Sequence, residues 1–127
     1  MKKLIKKFMV LGLSSMMVLG ATVLVYAYTT VFDGYSGSIY YSGDLGLTYD
    51  STNAGLSAQA PISSEDVYTK LNGFAKKDIS AGGGKVLLHD EGWNSCYDAE
   101  ITSGLRSAEC DYYVDYDLVK HKDLTIW

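Results

Sequence analysis

Apolar and polar residues alternate along most of the chain after residue 27, which is the pattern of half-buried β-strands. Between residues 35 and 50 the alternating apolar positions all share one parity, and residues 42–44 (Ser-Gly-Asp) separate them into two halves. The pattern predicts a hairpin with a three-residue loop at residues 42–44, because that loop places the apolar side chains of both strands on one face. The residues on that face are Ile39, Tyr41, Leu45, Leu47 and Tyr49.

Further strands follow from the same alternation. Leu56, Ala58 and Ala60 lie on one side of an extended segment, and residues 85–89 form a short apolar strand after the glycines at 82–84. Residues 63–77 fit a helix by their apolar spacing, but Asn72-Gly73 interrupts it and β-formers lead it, so we favour a strand and keep the helix as the alternative. The recurring turns predict an all-β fold, a small antiparallel β-sandwich.

The first 27 residues have the layout of a secretory signal peptide. Four lysines precede an uncharged run from Phe8 to Tyr28, and Val25 and Ala27 fit a cleavage site. We therefore predict a leader at residues 1–27 and a mature single domain at residues 28–127, secreted to the extracellular space. The apolar run also has the roughly 20 residues needed to span a bilayer, so a leader retained as an anchor is the alternative.

Loss of the leader makes the protein strongly acidic. It removes four of the 11 basic residues and none of the 15 acidic ones, which leaves seven against fifteen and a net charge of −8. Such a domain repels nucleic acid and anionic lipid, so we expect neither as a partner. No lipid-attachment cysteine follows the leader and no second apolar run follows it, so we also expect no stable membrane anchor after cleavage.

Both cysteines, Cys96 and Cys110, lie in one short stretch of the chain. A hairpin about Ser103 would place them opposite each other and would also oppose Glu100 to Arg106, so we predict a disulfide between them. A zinc site would have to recruit both histidines of the chain at unusual spacings, and a redox pair is normally a closer C-x-x-C. We rank both alternatives below the disulfide.

Catalytic and cofactor motifs are weak. Residues 89–91 (His-Asp-Glu) are consecutive, so on a strand their side chains alternate between faces and do not converge. The glycines at 82–84 lack the Ser or Thr of a phosphate loop, and no nucleophile motif occurs. Asp111, Asp115 and Asp117 share a strand parity, but their spacing favours a solvated acidic face over a calcium site. We expect no enzyme activity, no catalytic residue, no metal and no cofactor.

Aromatic residues suggest a binding role. Ten tyrosines remain after the leader, and Trp93, Tyr97 and Tyr113 form the candidate binding surface. Such rings stack on sugar rings or pack against proteins, which indicates a non-enzymatic extracellular binding module for a cell-wall glycan or a surface protein. The competing interpretation is that the aromatics fill the core and cover the sheets.

The leader, the tyrosine-rich alternating chain and the closing residues 123–127 (Asp-Leu-Thr-Ile-Trp) resemble lactococcin-type bacteriocins and other small secreted proteins of Gram-positive bacteria. The resemblance implies a β-sandwich and, as the alternative function, a secreted antimicrobial effector. It carries over no functional residue.

Overall fold

A computed structural model describes residues 28–126 and shows an all-β protein built from two antiparallel four-stranded sheets. Sheet A has the strand order β1-β2-β3-β6, and sheet B has the order β5-β4-β7-β8. One turn of 3-10 helix, Ile79–Ala81, follows β4. The strands are β1 Tyr28–Ser36, β2 Ile39–Leu47, β3 Ser51–Gln59, β4 Tyr68–Lys77, β5 Lys85–Trp93, β6 Ser95–Ile101, β7 Leu105–Val114 and β8 Asp117–Thr125.

The two sheets enclose one hydrophobic core, to which each strand contributes alternate residues. Leu45 and Leu56 enter it from sheet A, and Leu71, Leu88 and Tyr112 enter it from sheet B, all of them almost completely buried. A buried leucine side chain stabilises the fold by about 1.5 to 3 kcal/mol relative to an exposed one. The residues that alternate with these core residues point outward and form the two outer faces of the molecule. A site on either sheet therefore lies on one of these two faces.

The predicted hairpin at residues 42–44 is wrong, although the predicted parity is right for Tyr41, Leu45 and Leu47. Tyr49 does not share that face, because it lies after the end of β2 and is 47% exposed. These residues lie in the middle of β2, which pairs with β1 on one side and β3 on the other. The turn lies earlier, where Gly37 has a φ of 62°. Gly43 serves close packing, because a Cβ there would lie 3.0 Å from Cε1 of Phe32 and 2.6 Å from the carbonyl oxygen of Gly55. A Ser-Gly-Asp sequence is typical of a turn, but here the missing side chain makes room for a core ring.

The strand predicted at residues 63–77 is confirmed for residues 68–77, which form β4 in the interior of sheet B, whereas residues 63–67 lie in the turn and connection before it. Gly73, which interrupts the helical pattern in the sequence, is needed for the close packing of β4 against β7. It is paired with Cys110 of β7, and a Cβ there would lie 2.6 Å from the Cα of Cys110. The strand can approach β7 only with glycine at this position.

The predicted cysteine hairpin is also wrong. Strand β6 pairs with β3 in sheet A, whereas β7 pairs with β4 and β8 in sheet B, so the connection at residues 102–104 crosses between the sheets. Cys96 and Cys110 are both buried and are not bonded to each other. Arg106 forms its ion pair with Asp78, at 3.0 Å, and not with Glu100. The hairpin fails because Leu105 enters the core while Ile101 is 90% exposed, so the two do not share a face.

The acidic segment after Cys110 is two strands and not one. Asp115 and Tyr116 form the turn between β7 and β8, with φ values of 49° and 71°. Asp115 and Asp117 therefore do not line one strand with Asp111.

The leader predicted at residues 1–27 lies outside the described residues. Between residues 28 and 126 there is no helix with the length and hydrophobicity to cross a bilayer.

Candidate functional site

Three aromatic rings lie in a row across the outer face of sheet B, and we call this row the aromatic strip. Trp93 ends β5, Tyr68 begins β4 directly opposite it, and Tyr116 lies in the β7–β8 turn. The Trp93 and Tyr68 rings meet edge to face, with centroids 5.9 Å apart. The Tyr68 and Tyr116 rings stack at 4.3 Å with an interplanar angle of 13°. Both arrangements are favourable for aromatic pairs, so the strip is an ordered surface.

The outer members of the strip are largely open to solvent. Trp93 is 52% exposed and Tyr116 is 72% exposed, whereas Tyr68 between them is half-buried. The middle ring is thus held by its neighbours while the flanking rings present apolar surface. Exposed rings held in fixed geometry lose little conformational entropy on binding, which favours a recognition role.

The backbone at Tyr116 is strained. A turn with both central residues at positive φ prefers Asn-Gly, and a bulky residue in the left-handed region costs of order 1 to 2 kcal/mol. Tyr116 nevertheless occupies the second position, with a φ of 71°. The backbone is held by two hydrogen bonds, from the amide of Tyr68 to Oδ1 of Asp115 (3.3 Å) and from the amide of Asp115 to the carbonyl of Tyr68 (2.9 Å). Strained residues of this kind concentrate at functional sites.

Polar side chains hold Tyr68 in place and border the aromatic strip. The Tyr68 hydroxyl donates to Oε1 of Glu91 at 2.6 Å, and this hydrogen bond raises the pKa of Tyr68 to about 12. Tyr68 is therefore a neutral donor at physiological pH. Lys70 lies with its Nζ 5.3 Å from the ring centroid of Tyr113, which is the next residue across the sheet. The strip is thus bordered by a carboxylate, an ammonium and a phenol ring.

A second polar group on the same face centres on His121. Its Nδ1 lies 2.6 Å from Oδ1 of Asp111, directly across the β7–β8 pair, and Oδ2 of Asp123 lies 3.7 Å from its Nε2. The hydrogen bond to Asp111 raises the pKa of His121 above its ordinary value. Among residues 28–126, no three His, Cys, Asp or Glu side chains are arranged to hold a metal ion.

Cys110 and His121 both line a cavity of about 250 Å³, but they do not form a nucleophile and base. Cys110 is 1% exposed and belongs to the core, and its thiol contacts the carbonyl of Asp111 at 3.6 Å. Burial raises the pKa of this thiol to about 12. A cysteine nucleophile reacts as the thiolate, so a thiol that stays protonated at neutral pH does not support covalent catalysis.

The structure places the three aromatic residues predicted from sequence on two different surfaces. Trp93 and Tyr113 lie on the outer face of sheet B, whereas Tyr97 lies on the outer face of sheet A, opposite Gly55. Sequence reasoning missed Tyr68 and Tyr116, which complete the strip. No local signal marked them, because Asp-Tyr is not among the glycine-containing dipeptides typical of a two-residue hairpin turn, and the contact of Tyr116 with Tyr68 joins residues that are distant in sequence.

Comparison with protein-family models, with curated proteins and with solved structures found no match to this chain.

Proposed function

We propose that this protein is a secreted, non-enzymatic binding module that takes a cell-wall glycan chain on the aromatic strip. The observation that carries the proposal is the exposed, ordered row of Trp93, Tyr68 and Tyr116, with Tyr116 kept in a backbone conformation that suits glycine far better. Tyr116 destabilises the turn, so its presence there is explained if its ring contacts the ligand.

A glycan fits this surface better than the other partners considered. Sugar rings combine apolar faces with hydroxyl groups, and the strip offers exposed ring surface beside the carboxylate of Glu91 and the ammonium of Lys70. A flat sheet face suits an extended chain that contacts several rings in turn. The net charge of −8 disfavours polyanionic ligands, which leaves an uncharged polysaccharide backbone as the proposed ligand class.

Loss of either outer ring is expected to weaken binding of the secreted protein to insoluble cell-wall polysaccharide. Trp93→Ala and Tyr116→Ala should each raise the Kd about 5- to 30-fold, since an exposed aromatic contact contributes about 1 to 2 kcal/mol. Tyr35→Ala is the matched control, because Tyr35 is 70% exposed on sheet A, close to the 72% of Tyr116. Co-sedimentation at several polysaccharide concentrations measures the three Kd values.

An equal loss in all three variants would show a non-specific aromatic effect and contradict the proposal. Killing or growth inhibition of bacteria by the purified protein, at full strength in Trp93→Ala, would favour the antimicrobial effector instead.

The proposed secretion predicts the N-terminus and the cysteine state of the protein found in culture medium. Protein recovered from culture medium should begin at Tyr28, and its intact mass should match two free thiols, because Cys96 and Cys110 are unbonded in sheets A and B. A mass about 2 Da lower would show instead that oxidation outside the cell joins the two sheets across the core. Recovery of the intact chain in the membrane fraction would establish the anchored alternative.

A further inference from the structure

The outer face of sheet A contains a concavity of about 370 Å³ that the aromatic strip does not use. The backbone of Gly43 and Gly55 contributes to its lining, and Gly55, which shares the outward parity of Asp44, has no side chain to fill the space. Val31 and Tyr40 form apolar walls, and the polar lining comes from Asp33, Ser42 and Asp44. A cavity of this size takes a small ligand, such as a single sugar ring.

Asp44 lines this concavity and is only 3% exposed. Its place in β2, between Val31 and Gly55, turns its side chain to the outer face. The carboxylate lies over Gly55, where a Cβ would be 2.9 Å from Oδ1. Burial raises the pKa of the neighbouring Tyr97 phenol, and the nearby Asp44 raises it further. A carboxylate held so far from water interacts strongly with any cation that reaches it.

A second carboxylate lies on the next row of the same face. Asp33 is exposed and accepts a hydrogen bond of 3.1 Å from the Tyr40 hydroxyl, which holds it at the wall of the concavity. Ser42 lies beside Ser57 of β3, with 3.4 Å between the hydroxyl oxygens, and adds groups that both donate and accept. The concavity thus combines two carboxylates, hydroxyl groups and one aromatic wall.

Basic side chains are absent from the strands of sheet A. Strands β1, β2, β3 and β6 contain no Lys, Arg or His, whereas they contain Asp33, Asp44, Asp98 and Glu100. All seven basic residues of the described chain lie in the strands of sheet B. The side chains on the strands of sheet A therefore contribute negative charge and no positive charge, and a field of this sign attracts cations.

We propose that the concavity on sheet A is a binding site for a small organic cation with a primary ammonium group, such as an amino sugar. The ammonium donates to Asp44 and Asp33 as charge-assisted hydrogen bonds, the ring packs against Val31 and Tyr40, and the ligand hydroxyls meet Ser42. This site does not rest on the proposed function, because it lies on the other sheet and shares no residue with the aromatic strip.

Titration calorimetry at pH 7 with the secreted protein tests the site. Glucosamine should bind saturably, and N-acetylglucosamine, which has the same ring without the charge, should bind at least about tenfold more weakly. Cadaverine forms a second arm. Binding of glucosamine alone identifies an amino sugar, and binding of both amines identifies the ammonium as sufficient; either result upholds the site.

Matched variants assign the binding to the carboxylates. Asp44→Asn and Asp33→Asn should each weaken glucosamine binding at least about tenfold, whereas Asp117→Asn, an equal charge loss at an exposed position on β8, should leave it unchanged. If Asp44→Asn does not fold, Asp33→Asn decides, because its side chain is exposed. The proposal is overturned if neither amine binds, if N-acetylglucosamine binds as well as glucosamine, or if Asp117→Asn has the effect of Asp33→Asn. Trp93→Ala should bind glucosamine like the parent protein, which separates this site from the aromatic strip.

Discussion

Gly73→Ala should destabilise the protein by at least about 3 kcal/mol, enough to leave much of it unfolded at 37 °C. The added methyl group would lie 2.6 Å from the Cα of Cys110 and would also clash with the carbonyl oxygen of Glu109, both of them backbone atoms of β7. Backbone atoms in a central sheet cannot turn away as a side chain can. The strands must separate, and the β4–β7 hydrogen bonds and the core beneath them weaken together.

Gly46→Ala is the matched control, because Gly46 also lies in a central strand and is buried. There the nearest atoms to an added Cβ belong to the side chain of Asn53, at 2.9 Å from its Oδ1, and a side chain can rotate. We expect a loss of less than about 1.5 kcal/mol for this variant. Urea denaturation followed by circular dichroism gives both free energies of unfolding. Equal midpoints for the two variants would show that β7 moves aside easily and that the close approach is not needed.

Tyr112→Ala should cost about 3 to 5 kcal/mol, the range for removing a large buried ring. Tyr112 is fully buried and packs edge to face against Phe32, with centroids 4.6 Å apart, so its ring joins β7 to β1 across the core. Its hydroxyl donates to the backbone carbonyl of Asp44 at 2.7 Å, which links sheet B to the strand that carries the sheet A concavity. The ring and the hydroxyl therefore hold the two sheets together.

Tyr112→Phe separates these contributions, because it keeps the ring and removes only the hydroxyl. We expect a loss of about 1 to 2 kcal/mol, since the carbonyl of Asp44 loses a buried donor. Thermal and urea denaturation of both variants measure the difference. A phenylalanine variant as stable as the parent would show that the hydrogen bond between the sheets contributes nothing to the folded state.

The two outer faces of the sandwich differ in chemistry although one chain of alternating residues builds both. The outer face of sheet B presents the aromatic strip together with both histidines and the lysines at positions 70, 76 and 85, whereas that of sheet A presents carboxylates, hydroxyls and tyrosines. The two faces belong to different sheets, so the residues of the aromatic strip and those of the sheet A concavity do not contact the same ligand. The binding experiments on Trp93 and Asp33 can therefore be interpreted separately.

Local sequence determined the fold class and the inward parity of most strands. Leu45 and Leu47, and then Leu56 and Ala58, point to the core as their alternation predicts, and residues 68–77 form a strand. The physical reason is that successive side chains on a strand point to opposite faces, so a period of two in hydrophobicity specifies both the strand and its buried side. This information is contained in neighbouring residues and needs no knowledge of the partner strand.

Only the tertiary structure decided which strands pair and which aromatic residues meet. The segment with both cysteines supports a hairpin by itself, but β6 pairs with β3 and β7 pairs with β4, and the nearest such pair, Lys77 with Leu105, is separated by 28 residues (105 − 77). The same choice of partners separates Tyr97 from Trp93 and brings Tyr68 and Tyr116 into contact. Pairing depends on how two sheets share one core, and the contacts that settle it are distant in sequence, so local periodicity cannot specify the candidate sites.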